Sequence, residues 1–80
     1  MTREEIFEKV QDIVADKLAI DKSKITLQSA FINDLKADSM DLLDLVDSLD
    51  EEFDTTIPED AGRAFETVGD VVEFLANNLA

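Results

Sequence analysis

The chain has 80 residues, of which 45% are apolar, and it contains neither cysteine nor histidine. This length predicts a single domain, residues 1–80, whose small core contributes roughly 3–5 kcal/mol of stability. Without cysteine there are no disulfides or thiolate metal sites, and without histidine a self-contained active site is disfavoured, so we expect a protein that is not an enzyme. The formal net charge of −13 disfavours nucleic acid and anionic membranes as partners and favours proteins with basic patches.

No segment has the pattern of a targeting or membrane-spanning sequence. The first five residues lack the apolar core of a signal peptide. No apolar run approaches the roughly 20 residues that a membrane span needs. We therefore expect a cytoplasmic monomer without membrane insertion.

The first predicted element is an amphipathic helix over residues 3–18. Thr2 and Glu5 have the spacing of a capping box. Apolar residues follow at helical spacing: Ile6, Phe7, Val10, Ile13, Val14 and Leu18. Residues 19–37 have no comparable pattern and predict a long loop. The residues expected to pin this loop to the core are Ile25, Leu27, Phe31, Ile32 and Leu35.

A second helix is predicted over residues 39–53. At about 100° per residue, one broad face is apolar and comprises Leu42, Leu43, Leu45, Val46, Leu49 and Phe53. The opposite face comprises Asp41, Asp44, Asp47, Ser48 and Glu51. Met40 falls among the acids, so an apolar side chain is expected on the wet face beside Ser39.

Two further helices complete the predicted fold. Pro58 suits a first helical position and predicts a short third helix over Glu59–Phe65, which Gly62 weakens. Thr67 with Asp70 caps a last helix, whose apolar positions are Val68, Val71, Val72, Leu75 and Leu79. The predicted fold class is all-α: a small four-helix bundle with three main helices, one short helix and a long first loop.

Ser39 is the most informative polar residue in the chain. Serine is itself a favoured helix cap, which is the ordinary explanation for it. Asp38 can cap instead, however, with Asp41 three positions later closing a capping box. Ser39 then occupies the first helical position, and the backbone does not need its hydroxyl. The helical wheel places it at the rim of the apolar face.

Acids are concentrated behind this serine. Residues 38–61 contain ten of the twenty acids and no basic residue. Like charges three or four positions apart on a helix repel each other, so stability alone does not favour the pattern. A solvated face that keeps the protein soluble would be an alternative. We interpret the cluster as a docking surface for basic partners, formed by Asp38, Met40, Asp41, Asp44, Asp47 and Glu51.

The residues around Ser39 resemble the signature of carrier proteins. Residues 35–46 read Leu-Lys-Ala-Asp-Ser-Met-Asp-Leu-Leu-Asp-Leu-Val, which is similar to Leu-Gly-Ala-Asp-Ser-Leu-Asp followed by an acidic and apolar helix. Residues 49–55, 57–58 and 67–70 extend the resemblance over essentially the whole chain. On these motifs the chain is identified as a member of the discrete acyl carrier proteins of type II fatty acid synthesis. It departs from the pattern at Lys36, where glycine is usual, at Met40, where leucine is usual, and at Asp47, where some relatives have an apolar residue.

The resemblance implies a covalent cofactor. A phosphopantetheinyl transferase would use the Ser39 hydroxyl to attack coenzyme A and leave 4′-phosphopantetheine on the serine. The thiol of this arm would carry acyl intermediates as thioesters to successive enzymes of fatty acid synthesis, which would dock through basic patches. The residues expected to shelter the acyl chain are Phe31, Ile32, Leu42, Leu43, Leu49, Phe65, Val68 and Val72. For each of these, core packing explains the residue equally well.

Three alternatives remain open from the sequence. The first is a carrier of another pathway, such as polyketide, nonribosomal peptide or D-alanine transfer, with Ser39 modified in the same way. The second is an acidic module that binds divalent cations. The spacing of its acids does not match a 12-residue calcium loop, so we expect loose binding and no specific metal site. The third is a helical interaction protein without any modification.

Overall fold

The structure of the protein is a computed structural model that describes residues 2–79. These residues form four α-helices: α1 (Arg3–Leu18), α2 (Ser39–Phe53), α3 (Glu59–Ala64) and α4 (Val68–Leu79). The prediction of an all-α fold with three main helices and one short helix is confirmed. α1 packs against both α2 and α4, whereas α3 packs against α2. No helix within residues 2–79 combines the length and the hydropathy needed to cross a membrane.

α1 has the predicted bounds because its first turn is capped. The Thr2 hydroxyl accepts a hydrogen bond from the Glu5 N–H over 3.2 Å, and the Glu5 carboxylate accepts one from the Thr2 N–H over 3.0 Å. Since this bond from the Thr2 N–H stabilises the charged form, it holds the pKa of the Glu5 carboxyl below its usual value. The residues of α1 that are fully buried are Ile6, Val10 and Val14.

The loop between α1 and α2 is hydrogen-bonded to two helical regions. A 3₁₀ turn over Lys22–Lys24 lies at its start. Gln11 of α1 donates a hydrogen bond from Nε2 to the Ile25 carbonyl oxygen over 2.8 Å. Farther along, the Phe31 N–H donates to the carbonyl oxygen of Glu66 over 3.0 Å, just before α4. These bonds satisfy backbone groups that the loop's lack of regular structure would otherwise leave unpaired.

The prediction of which side chains pin this loop is only partly correct. Ile25, Phe31 and Leu35 are buried, but Leu27 and Ile32 are 42% and 61% exposed. Phe31 and Ile32 are adjacent in the chain, and of the two side chains it is Phe31 that is buried in the core. Ile32 therefore points outward, close to the start of α2.

α2 shows where a two-faced helical wheel fails. Leu45, Leu49 and Phe53 are buried as predicted. Leu43, by contrast, is 54% exposed, although it lies on the apolar face of the helical wheel. The reason is that α3, the neighbour of α2 on this side, has only six residues and leaves part of the apolar face uncovered.

The bounds of α3 differ slightly from the prediction. Pro58 precedes the helix as its N-cap and does not occupy its first helical position. The helix ends at Ala64, and Phe65 is extended (φ −70°, ψ 117°). With six residues, no side-chain cap and a glycine in its middle, α3 has little stability of its own and depends on its contact with α2.

α4 starts with the predicted cap. The Thr67 hydroxyl accepts a hydrogen bond from the Asp70 N–H over 3.3 Å, and the Asp70 carboxylate accepts one from the Thr67 N–H over 3.1 Å. The Gly69 N–H donates to the carbonyl oxygen of Leu27 over 2.8 Å. A Cβ at Gly69 would lie 2.9 Å from that oxygen, so only glycine permits this close approach of the loop. The buried residues of α4 include Val68, Val71, Val72 and Leu75.

Candidate functional site

The leading end of α2 is closed by a capping box made of two acids. The Asp38 carboxylate accepts a hydrogen bond from the Asp41 N–H over 2.9 Å, and the Asp41 carboxylate accepts one from the Asp38 N–H over 3.2 Å. Ser39 is the first helical residue. Because Asp38 supplies the cap, the Ser39 hydroxyl is not needed to satisfy the first turn.

Ser39 is exposed, and its hydroxyl makes no hydrogen bond to any other residue within the range 2–79. The turn that presents it is fixed by the buried Ala37, whose N–H donates to the Phe31 carbonyl oxygen over 2.8 Å. Lys36 in this turn has a φ of 58°, the left-handed conformation that glycine adopts most readily. Lys36 therefore adopts a backbone conformation that is typical of glycine.

An apolar groove of about 380 Å³ opens beside Ser39, between α2 and α3. It is lined by Ile32, Ser39, Leu42, Leu43, Val46, Glu59, Gly62 and Arg63. The exposure of Ile32 and Leu43 is thus exposure to a groove, where both side chains lie with the serine hydroxyl. The structure brings these three residues together from the loop and from α2.

The other predicted pocket residues lie elsewhere. Phe31, Leu49 and Val68 are buried in the core. Val72 lines a separate pocket of about 390 Å³ between the leading ends of α1 and α4. Phe65 is half-buried and packs edge-to-face on Phe74, with ring centroids 5.7 Å apart. Of the eight predicted pocket residues, the groove beside Ser39 therefore contains Ile32, Leu42 and Leu43.

Sequence reasoning missed four residues of the groove: Val46, Glu59, Gly62 and Arg63. Val46 could have been found, because it lies one turn beyond Leu42 on the same face. Gly62 is where α3 comes closest to this part of α2, since a Cβ there would lie 3.3 Å from Val46 Cγ2. Residues on α3 could not be assigned to the groove before the position of α3 against α2 was known.

Among the predicted docking residues, Asp38, Asp44, Asp47 and Glu51 are exposed and Asp41 is half-buried. Met40 is 72% exposed, in agreement with its place among the acids on the wheel. In the part of the chain that the structure describes, Asp44, Asp47 and Glu51 form no ion pair.

Two neighbouring acids of α2 have structural roles that the sequence did not indicate. The Asp50 carboxylate accepts a hydrogen bond from the Ile57 N–H over 2.8 Å and so anchors the segment before α3. Glu52 pairs with Lys9 of α1 over 3.5 Å. These two acids therefore have stabilising contacts that offset part of the repulsion expected along α2.

Arg63 and Glu59 form an ion pair at the edge of the groove, with 2.6 Å between Arg63 Nη2 and Glu59 Oε1. Both side chains are exposed, and they are four positions apart on α3. Such pairs contribute only about 0.3–0.5 kcal/mol, so either partner is readily exchanged for another ion.

The acids do not form a metal centre in the described residues. Within 2–79, no group of three or more acidic side chains is arranged to hold a metal ion. The carboxylates of Asp38, Asp50 and Asp70 are engaged with backbone N–H groups, which leaves them less available as ligands.

Comparison with known proteins gives four consistent similarities. A family model described as the phosphopantetheine attachment site matches residues 8–75. The chain is 44% identical over 73 residues to the acyl carrier protein of Clostridium perfringens, covering 91% of this chain and 96% of that protein. It is 42% identical over 78 residues to the acyl carrier protein of Lactobacillus acidophilus, covering 98% of each. A solved structure of the acyl carrier protein from Enterococcus faecalis superposes with a TM-score of 0.81 at 36% identity, covering 98% of this chain and 99% of that one.

Proposed function

The chain belongs to the acyl carrier protein family, and we propose that it serves type II fatty acid synthesis with its prosthetic arm on Ser39. Proteins of this family are carriers and not catalysts, and their cofactor is a covalently attached 4′-phosphopantetheine. When bound, the arm supplies a thiol that holds the acyl group as a thioester. We propose that residues 1–80 form one monomeric carrier domain that works in the cytoplasm.

The observation that carries the assignment of Ser39 is its free hydroxyl at the first position of α2. It is exposed and makes no hydrogen bond to the residues that the structure describes, because Asp38 caps the helix in its place. The leading end of a helix accommodates a phosphate, since the helix dipole favours negative charge there. The residues present therefore fit a phosphodiester on Ser39.

The groove between α2 and α3 is the proposed shelter for the acyl chain. Its apolar walls begin next to the attachment point, with Leu42, Leu43 and Ile32. A chain that lies there is removed from water, which favours the sheltered position by about 25 cal/mol per Å² of buried apolar surface. The predicted residues Phe31, Leu49 and Val68 are buried in the core and lie outside this groove.

The exposed acids of α2 are the proposed docking surface for basic enzymes. Asp44, Asp47 and Glu51 have no ion pair among residues 2–79, so their charges are open to a partner. Met40 provides an apolar contact beside Ser39. Charges at the rim of an interface mainly accelerate association and permit rapid release, which suits a carrier that several enzymes use in turn.

Loading with coenzyme A tests the attachment site. The purified chain is incubated with coenzyme A and a phosphopantetheinyl transferase, and its intact mass is measured. We expect the mass of the wild type to increase by that of one phosphopantetheine arm. The control Ser48→Ala, which removes another hydroxyl of α2, should show the same increase. Ser39→Ala should stay unmodified while its circular dichroism remains helical. Modification of Ser39→Ala would show that the serine is wrongly assigned.

The pathway is tested with loading enzymes from different pathways. The arm-bearing chain is offered to a malonyl transferase of fatty acid synthesis, and separately to enzymes that activate amino acids or D-alanine. We expect a malonyl thioester, which hydroxylamine releases. Exclusive loading with an amino acid would assign the chain to another carrier pathway and leave Ser39 as the attachment site.

Charge reversal tests the docking surface. Asp44→Lys with Asp47→Lys should slow loading by the transferase roughly tenfold or more, because electrostatic steering is lost. The control pair Glu4→Lys with Glu73→Lys makes the same change in net charge at exposed positions of α1 and α4. Equal rates for the two double variants would reduce the acids of α2 to a role in solubility.

A substitution in the wall of the groove tests the shelter. Gly62→Ala places a Cβ 3.3 Å from Val46 Cγ2 and should reduce the rise in melting temperature that a medium-length acyl chain gives the loaded protein. Ala64→Gly is the control, because it also changes helix propensity in α3 but lies outside the groove lining. An unchanged rise in Gly62→Ala would place the acyl chain elsewhere.

A further inference from the structure

Arg63 is isolated among negative charges. It is the only lysine or arginine in residues 37–80, a stretch that includes α2, α3 and α4. Its guanidinium is exposed, and within residues 2–79 it pairs only with Glu59 of its own helix. An exposed pair within one helix does not connect α3 to any other element, so structural support does not explain the residue.

Arg63 and Ser39 open onto the same groove. The groove lining includes the serine on α2 and the arginine on α3, together with Leu42, Leu43 and Val46. The only other basic residue close to Ser39 in sequence, Lys36, is not part of this lining. A negatively charged group on Ser39 would therefore share its groove with the positively charged guanidinium of Arg63.

A phosphodiester on Ser39 would be in an unfavourable electrostatic position without such a cation. Asp38 and Asp41 flank the serine, and Asp44 follows one turn later. The Asp41 N–H, which could bind the phosphate, already donates to the Asp38 carboxylate. The helix dipole offsets only part of a full negative charge, so a counter-ion is needed.

We propose that Arg63 is the internal counter-ion of the phosphodiester on Ser39. On loading, the guanidinium exchanges the Glu59 carboxylate for phosphate oxygens, to which its planar set of N–H donors is well matched. The contact turns the start of the arm toward α3 and the groove. A basic patch on a docked enzyme would compete for the same phosphate, return Arg63 to Glu59 and release the arm. This inference rests on the proposed attachment at Ser39.

The test compares apo and arm-loaded forms by nuclear magnetic resonance, with loading verified by intact mass. In the wild type we expect the Arg63 side-chain N–H resonance to shift on loading and to return toward its apo position at high salt. In loaded Arg63→Gln the phosphorus resonance should differ from that of the loaded wild type. The melting temperature of the loaded form minus that of the apo form should be about 2 °C lower in Arg63→Gln than in the wild type. Arg63→Lys, which keeps the charge but not the planar donors, should give an intermediate change.

The matched control is Lys36→Asn, which removes the other nearby positive charge with a residue that tolerates the left-handed backbone at this position. We expect its phosphorus resonance to match that of the wild type. An Arg63 resonance that is identical in the two forms, or an equal effect of Lys36→Asn, would overturn the inference while Ser39 remains loaded. A wild-type chain that gains no mass would instead overturn the proposed function and this inference with it.

Discussion

The leading ends of α2 and α4 have the same local structure and opposite surroundings. Each is closed by a reciprocal capping box, Asp38 with Asp41 and Thr67 with Asp70. In each, the residue that follows the cap is the first of the helix. In α4 this residue is Val68, which is fully buried, whereas in α2 it is Ser39, which is exposed.

The difference arises from what the loop between α1 and α2 does at each end. At α4, the Val68 N–H donates to the Ser29 carbonyl oxygen over 3.1 Å, and the Gly69 N–H donates to that of Leu27 over 2.8 Å. The loop thus covers the start of α4 and buries its first turn. Nothing in the described chain covers the start of α2 in this way, so the same capping geometry there presents a side chain to solvent and to partners.

The largest difference in stability between the two helix ends is expected when the residue types at positions 39 and 68 are exchanged. Val68→Ser removes buried methyl groups and buries a hydroxyl, which we expect to lower the free energy of unfolding by about 2–4 kcal/mol. Ser39→Val should change it by no more than about 0.5 kcal/mol. Urea denaturation measures both. A cost at Ser39 comparable to that at Val68 would mean that the start of α2 is covered after all.

Removing the caps should have similar effects at both ends. Asp38→Ala and Thr67→Ala should each lower the free energy of unfolding by about 1 kcal/mol, because the hydrogen bonds that they lose are alike. Asp38→Ser, which keeps a capping oxygen, should retain most of the stability. If Asp38→Ala were neutral in urea denaturation, Ser39 would be able to act as the cap, and its hydroxyl would not be free.

Relieving the backbone before α2 should stabilise the protein slightly. Lys36 has a φ of 58°, so Lys36→Gly should raise the free energy of unfolding by about 0.5–1 kcal/mol. The equivalent change at Lys24, which lies outside the left-handed region, should not stabilise and serves as the control. Thermal unfolding of the three proteins checks this. A loss of stability in Lys36→Gly would mean that the lysine side chain makes a contact worth more than the strain.

The smallest expected effect concerns the third capping box, at α1. The Thr2 N–H lowers the pKa of Glu5 from its ordinary value of 4.5. Its contribution to stability is therefore complete above pH 4.5 and is lost as the pH falls through the lower pKa of the folded state. Glu5→Gln should be slightly less stable than the wild type at pH 7, and this difference should shrink below pH 4.5. A difference in urea midpoint that is independent of pH would show that the charge on Glu5 is not involved.

The bounds of α1 and α2, the three capping boxes and the position of Ser39 in its helix could be predicted from the sequence. All of these depend on residues within four positions of each other. The Asp38 carboxylate reaches the Asp41 N–H whatever surrounds the helix, and the Thr2 hydroxyl reaches the Glu5 N–H in the same way. The end of α3 was predicted one residue too late, because a six-residue helix with Gly62 has no strong local signal for its end.

The groove and its lining could not be predicted in the same way. A helical wheel divides α2 into two faces, but whether Leu43 is buried depends on how much of that face α3 covers. That Arg63 and Ser39 line the same groove likewise depends on the placement of α3, which Gly62 allows to approach Val46. Local interactions thus determined a free hydroxyl on an acidic helix, while the packing of distant segments decided that it lies beside an apolar groove that Arg63 also lines. Burial is a property of neighbouring elements, and its pattern within one helix indicates only which side chains are able to be buried.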